Sequence, residues 1–313
     1  MAEYKGIHGT KIQNYTSDPA NPLQGEVWYN STSNSLKYFY VNPGSWATGN
    51  SMNTARNNLA GAGTQIAGLA FGGNPDTGKT EKYNGTNWTE VNDLNTVRMY
   101  LAGCGTQTAA LAFGGYPAPP GPTETFNGTN WTEVNDLNTT RYALAAAGTT
   151  TAALGFGGYA PPVSALTELW NGTNWTEVND LNTARDFLAG GGTQTSALAF
   201  GGESPPTTAV TESWNGTNWT EVNNLNTARP KLAGVGTSNT SALAFGGESP
   251  TRALTETWNG SNWTETGDLN TGRDGLTGAG TNTTALAFGG SPPITGATEL
   301  WNAGPVTATI DTD

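Results

Sequence analysis

Short runs of small and apolar residues, separated by turns rich in Thr, Asn and Gly, recur along this chain at a nearly fixed interval. Arg56, Arg98, Arg141, Arg185, Arg229 and Arg273 each follow a Leu/Met-Asn-Thr-x stretch, and successive separations are 42, 43, 44, 44 and 44 residues. After each Arg comes a small-residue run such as Leu59-Ala60-Gly61-Ala62-Gly63, then Leu69-Ala70-Phe71-Gly72-Gly73, then Thr80-Glu81-Lys82-Tyr83, then Asn84-Gly85-Thr86-Asn87-Trp88-Thr89-Glu90-Val91. Each unit therefore offers four short strands, a, b, c and d. Asn-Gly between c and d, as in Asn84-Gly85 and Asn127-Gly128, is a strong hairpin signal because such a turn needs positive φ. Strand a carries only small side chains, as expected where several strands crowd around an axis; the heavy Phe and Trp side chains lie further out.

A four-stranded unit of this kind has two open edges and too little apolar surface to stand alone, so the units must pack face to face around a ring. The spacing also predicts how the ring closes. Every strand-d Trp precedes the next Arg by ten residues, and Trp46 precedes Arg56 by the same ten. The last unit runs to Thr298-Glu299-Leu300-Trp301 and then lacks an Asn-Trp-Thr. Ser45-Trp46-Ala47 is therefore expected to supply the missing strand d, with Trp46 packing in the last blade beside Phe288 and Trp301. The predicted fold is all-β, a six-bladed β-propeller of four-stranded blades over residues 45–303. An N-terminal segment, 1–44, precedes it and a short tail, 304–313, follows. Within the first segment, Gln24 to Asn30 and Leu36 to Tyr40 alternate as a two-stranded hairpin would.

Composition supports the all-β reading and narrows the chemistry. The chain has 313 residues with 43 Gly, 17 Pro and 11 Trp, and only 12% of its residues are charged. Gly, Thr and Asn disfavour long helices and suit short strands joined by turns. A net charge of −12 and the lack of a basic stripe argue against nucleic acid as a partner. No run approaches the roughly 20 apolar residues that cross a bilayer, and the first residues lack the apolar stretch of a signal peptide. Synthesis in a cytoplasm without membrane insertion is expected. The single cysteine, Cys104, occupies a repeat position held elsewhere by Ala62, Ala147, Gly191, Val235 and Ala279, so a small packed residue is expected and not a nucleophile.

The double glycine after strand b, the strand-c aromatic, the strand-d Trp and the following Arg together resemble Kelch repeats over roughly residues 45–303. The chain departs from that pattern by using Trp or Phe for the usual strand-c Tyr in all but the first unit. Kelch propellers mostly bind other proteins or glycans, so the resemblance implies a binding module. Residues 21–40 are similar to short modules in tail-fibre and other virion proteins of tailed bacteriophages, and near-identical Thr/Asn/Gly-rich arrays resemble marine phage virion proteins. These resemblances imply a virion protein, attached to other virion proteins through residues 1–44. A cytoplasmic Kelch adaptor is the alternative, and a glycan-processing enzyme a distant one.

Enzymatic readings find little support. Copper oxidases of related architecture need two His, whereas this chain has one, His8, outside the ring. A Ser-His-Asp or Cys-His site fails for the same reason, and no non-repeated acid pair marks a hydrolase. No metal or other cofactor is expected. The six Arg residues recur with one strand-c Glu per blade (Glu81, Glu124, Glu168, Glu212, Glu256, Glu299), which suggests ion pairs that hold strands or blades together; a ring of guanidinium groups able to take an anion is the functional alternative. Asn-Asp pairs such as Asn92-Asp93 are expected to bond in turns.

Strand order sends the d–a and b–c connections to one face and the a–b and c–d turns to the other. The a–b and c–d turns are nearly invariant, while the first face diverges: Asn57-Asn58, Met99-Tyr100, Tyr142-Ala143, Asp186-Phe187, Pro230-Lys231 and Asp274-Gly275 follow the six Arg residues. Divergence confined to one face of otherwise repeated blades points to a ligand-binding face, with drift in tolerant loops as the alternative. Its candidates are Tyr100, Tyr116, Tyr142, Tyr159, Asp186, Phe187, Lys231, Arg252 and Asp274. The aromatic residues gather on blades two to four, which suits a host surface glycan or an outer-membrane protein. Binding should not depend steeply on salt in the manner of polyanion recognition.

Overall fold

The computed structural model describes residues 12–75, 77–117, 121–248, 250 and 252–310, and among these every regular element is a strand. Residues 45–302 form one compact unit, and the described residues up to 44 with those from 303 onward form another.

The larger unit is a six-bladed β-propeller. Five antiparallel sheets run a-b-c-d in sequence, the first from Ala60–Thr64 through Ala67–Phe71 and Thr80–Tyr83 to Trp88–Val91. Register is constant: the strand-b Phe faces the first strand-c Thr, as Phe71 faces Thr80, and the strand-c aromatic faces the strand-d Trp, as Tyr83 faces Trp88. In the sixth blade Thr277–Gly280 and Thr284–Phe288 pair with the start of the strand Thr298–Ile310, whose neighbour on the other side is Ser35–Gly49. The expected closure is therefore present, with strand d of the last blade contributed from near the N-terminus.

Blades adhere through a repeated clasp. Each strand-d Trp lays its ring on the strand-b Phe of the preceding blade, with centroids 4.7–5.0 Å apart. Its Nε1–H donates to the strand-c Thr hydroxyl of that same blade at 2.9–3.2 Å. The indole thus buries its apolar body while its one polar atom stays bonded. Trp46 obeys this rule: its ring packs at a tilt against Trp301 at 5.3 Å and Phe245 at 5.0 Å, and it donates to Thr255. Phe245, and not the expected Phe288, meets it because a strand-d Trp reaches back one blade; Phe288 is covered by Trp88.

A second set of clasps explains why the a–b turns scarcely vary. Gln65, Gln107 and Gln194 each donate from Nε2 to a strand-c carbonyl of the preceding blade, that of Trp301, Tyr83 and Trp170 respectively. The small residues of strand a are equally constrained. A Cβ on Gly103 would lie 2.4 Å from the Phe71 ring, and one on Gly190 2.5 Å from Phe156. Cys104 is buried in this layer and burial pushes its thiol up to about 12, which fits a packed small residue without nucleophilic character.

In the smaller unit Val27–Asn30 pairs antiparallel with Ser35–Tyr38, as the alternation predicts, and Gln13–Tyr15 adds a short parallel strand. Trp28 is fully buried, and it and Asn30 both donate to Asp18, bonds that lower the Asp18 pKa. The last described residues do not form the separate tail drawn at 304. Residues 303–310 continue the strand that begins at Thr298 and belong to this unit, and the β-branched positions Val306, Thr307, Thr309 and Ile310 suit a strand.

Deleting residues 1–50 removes strand d of the sixth blade and the Trp46 clasp. Urea denaturation should show a loss of several kcal/mol and the exposed edges should promote aggregation; the single change Trp46→Ala should cost about 3–5 kcal/mol. An unchanged midpoint in both proteins would place the closure elsewhere.

Candidate functional site: the divergent face

The six Arg residues belong to the frame. Each guanidinium is at most 1% exposed and pairs with the strand-c Glu of the blade that it introduces, as Arg98 with Glu124 at 2.7 Å and Arg185 with Glu212 at 2.6 Å. For Glu81, Glu124, Glu168 and Glu212 the same carboxylate accepts the backbone N–H of the preceding Asn and Thr and the Asn side-chain amide; for Glu124 these come from Asn95 and Thr96 at 2.8–3.3 Å. The Asn-Thr-x-Arg motif is therefore a wrap around one buried carboxylate, tying the d–a connection to the middle of its own blade. Burial lowers the pKa of Arg56, Arg98, Arg141 and Arg185, opposed first by the paired Glu. The pairs lie within blades and not between them, and buried guanidinium groups already held by carboxylates form no anion-binding ring. Asp93, Asp136, Asp180 and Asp268 accept the first strand-c N–H of their blades, bonds between residues 13 apart that tie the end of strand d to strand c and are not the local turn bonds expected.

Two residues beyond each Arg, the chain builds a belt around the axis. Asn58, Tyr100, Ala143, Phe187, Lys231 and Gly275 each donate a backbone N–H to the carbonyl of the equivalent residue one blade back, at 2.6–3.0 Å, and Asn58 closes the circle on Gly275. All six have φ between 49° and 59°. The left-handed region costs a non-glycine residue on the order of 1 kcal/mol, so five such residues are held there by the closed circle of bonds. Beneath lie Leu59, Leu101, Leu144, Leu188, Leu232 and Leu276. They line both an 80 Å³ depression under the belt and a 150 Å³ inner channel.

The divergent residues sit on and around this belt. In five blades the residue after the Arg bridges to the b–c connection, as Met99 to Tyr116, Tyr142 to Tyr159, Asp186 to Glu203 and Asp274 to Ser291, and Pro230 instead accepts the Glu248 N–H. As a result the expected aromatic cluster is continuous. Tyr116 touches Tyr142 at 5.6 Å between centroids, Tyr142 touches Tyr159 at 5.2 Å and Tyr100 at 6.1 Å, and Tyr100 meets Phe187 edge-on at 5.4 Å. Tyr116 is the most open at 49% exposure, and the others are half-buried. Tyr116, Pro117, Tyr142, Tyr159 and Pro161 border a groove of about 240 Å³ between blades two and three.

The charged candidates lie on the other arc. Lys231 donates to Glu248 at 3.0 Å and stands 5.4 Å from the Phe187 ring; Arg252 pairs with Asp274 at 3.7 Å, and Asp274 also accepts from Ser291. Asp186 is 6% exposed, less open than a hydrogen-bonding surface carboxylate should be. Burial, reinforced by Glu203, pushes its pKa from 3.8 up to about 6. Sequence reasoning placed Asn58 and Ala143 on the divergent face but left them, and Glu203, out of the candidates. Six unlike side chains share the belt conformation, so only their fixed offset from Arg could have marked them. His8 lies outside the described residues, as do Ala118, Pro119 and Pro120 of the blade-two loop.

No protein-family model matches the chain, and no curated protein matches it.

Replacing Arg98 by Met strands the buried Glu124 carboxylate, and unfolding free energy should fall by about 3–5 kcal/mol; a change under 1 kcal/mol would contradict the wrap. Asp186 behaves oppositely. Its folded pKa is raised, so the folded state holds the extra proton between about pH 4 and 6 and stability declines as pH rises through that window, by on the order of 2 kcal/mol. Asp186→Asn should therefore melt higher than the parent at pH 7.5, with the difference vanishing near pH 4; a lower melting point at pH 7.5 would overturn this.

Proposed function

We propose that this chain is a non-enzymatic component of a bacteriophage virion, a tail fibre or appendage protein whose propeller carries a receptor-binding face for a host surface glycan. The observation that carries the binding reading is the aromatic cluster on blades two to four. Blade frames repeat almost residue for residue, yet the side chains that differ converge on one face and bring five aromatic rings into contact beside an open groove. Aromatic faces stack on the apolar faces of sugar rings, and a groove walled by Tyr and Pro offers them with little conformational entropy to lose. The virion reading rests on the resemblance of residues 21–40 and of the Thr/Asn/Gly-rich repeats to phage proteins, with residues 1–44 attaching the chain to other virion proteins.

Mass spectrometry of purified particles tests the virion half, and absence of the chain from particles would overturn it. For the binding half, Tyr100→Ala combined with Tyr142→Ala should weaken binding to host cells or their isolated surface glycan at least tenfold, about 1.4 kcal/mol or more, while the melting transition stays cooperative. Changes in the Asn-Gly-Thr-Asn turns should leave binding untouched. A silent Tyr pair together with turn changes that abolish binding would assign the ligand to the opposite face.

A further inference from the structure

The smaller unit has a sheet edge that is both unpaired and uncharged. Within the strand Thr298–Ile310, residues 298–302 pair with Thr284–Phe288, and the strand then runs on with only Ser35–Gly49 beside it. Among the described residues no strand pairs with the other side of 303–310, so backbone N–H and C=O groups line an open edge there. Its sequence, Ala303-Gly304-Pro305-Val306-Thr307-Ala308-Thr309-Ile310, contains no charged side chain. The outer edges of the first five blades are different. Their d strands each carry an exposed Glu, namely Glu90, Glu133, Glu177, Glu221 and Glu265, and a charge on an edge strand resists pairing with another chain. Only Pro305, which has no N–H to give, limits the edge at 303–310, and it leaves 306–310 free to pair.

The residues of this edge match a second copy of themselves. Two identical strands that pair antiparallel in one sheet are related by a two-fold axis, and one residue then faces its own equivalent. Centred on Ala308, such a pair sets Val306 opposite Ile310 and Thr307 opposite Thr309. Val306, Ala308 and Ile310 are half-buried on one face of the strand, while Thr307 and Thr309 are exposed on the other. Apolar side chains therefore meet apolar ones and hydroxyls meet hydroxyls, which are the cross-strand pairs that stabilise a sheet, and no like charges oppose each other. Centring on Thr307 instead would bring Pro305 into the ladder. We propose that residues 306–310 form a homodimerisation edge, at which two copies of this chain join their smaller units into one continuous sheet.

On pairing, the two edges exchange backbone hydrogen bonds that water otherwise satisfies, and the stripe of Val306, Ala308 and Ile310 continues from one copy to the next. The contact is short, so the dimer is reversible and populated at high protein concentration. It belongs to the smaller unit alone and does not rest on the glycan-binding reading.

Sedimentation equilibrium of the full chain tests the proposal and should report a species of twice the 32.5 kDa chain mass that dissociates on dilution. Ala308→Lys sets two lysines directly opposite each other and should raise the dissociation constant at least tenfold. Thr307→Lys, at an exposed position where folding is not at stake, should act in the same direction with the melting transition unchanged. Register is read by cross-linking. Ala308→Cys under mild oxidation should give a disulfide-linked dimer, because directly opposite residues lie within the roughly 4.4–6.8 Å between Cα atoms that a disulfide spans. Thr307→Cys, offset from its equivalent by two residues, should link at least tenfold more slowly, and the parent chain, whose Cys104 is buried, should not link. A chain that is monomeric at every concentration, a dimer that both lysine variants leave intact, or Thr307→Cys linking as fast as Ala308→Cys overturns the proposal. So does a dimer that forms only after residues 1–11 are deleted, since the chain's own start would then be what covers the edge.

Discussion

The reach of each strand-d tryptophan into the preceding blade is the interaction on which the rest depends. A four-stranded sheet with faces of Ala, Leu and Phe cannot stay folded in water, and only its two neighbours can cover it. One indole per interface covers a Phe and satisfies its own N–H on a Thr, and it does so six times around the circle. Because the clasp points backwards by one blade, the circle cannot close unless a tryptophan from before the first blade clasps the fifth while its strand completes the sixth. Trp46 occupies that place, which is why residues distant in sequence form the closing interface.

With lateral packing secured in this way, the d–a connections are pinned from beneath. In four blades the buried Glu collects the Arg guanidinium, the Asn amide and two backbone N–H groups, so a carboxylate that would be costly alone is held by several donors. The next residues are then carried to the axis and locked in the belt. The frame thus ends at the belt, and the side chains displayed on it are free to differ because its bonds are all made by backbone. Asn, Tyr, Ala, Phe, Lys and Gly occupy six equivalent places without altering the ring. That separation between an invariant support and a variable display is the physical basis for the proposal that this face recognises a ligand.

Much of this was readable from spacing. The period from Arg56 to Arg273 implied six blades, the ten-residue interval from Trp46 to Arg56 implied closure, and the turn chemistry implied which connections share a face. The aromatic candidates also met as expected, since Tyr142 and Tyr159 bracket strands whose pairing follows from the repeat. Distances between blades were not readable, so Trp46 was set against Phe288 when it meets Phe245. Nor does a one-dimensional pattern show depth: the Arg residues read first as ion-paired frame and alternatively as an anion site until their burial decided, and Asp186 read as an exposed hydrogen-bonding group when it is nearly covered. The belt left no compositional trace because backbone bonds place no demand on side-chain identity. The strand at 303–310 was missed because its partner lies at the other end of the chain.

The proposed recognition by the divergent face rests on the division between frame and display, and side-chain accessibility tests it directly. Hydroxyl-radical footprinting of the full chain, with and without the host surface glycan, reports each aromatic and aliphatic side chain separately. Tyr116, Tyr142 and Tyr159 should lose reactivity when the glycan is present, while Ile66, 65% exposed in an a–b turn of the opposite face, should keep it. Protection of Ile66 with unchanged tyrosine reactivity would contradict the assignment.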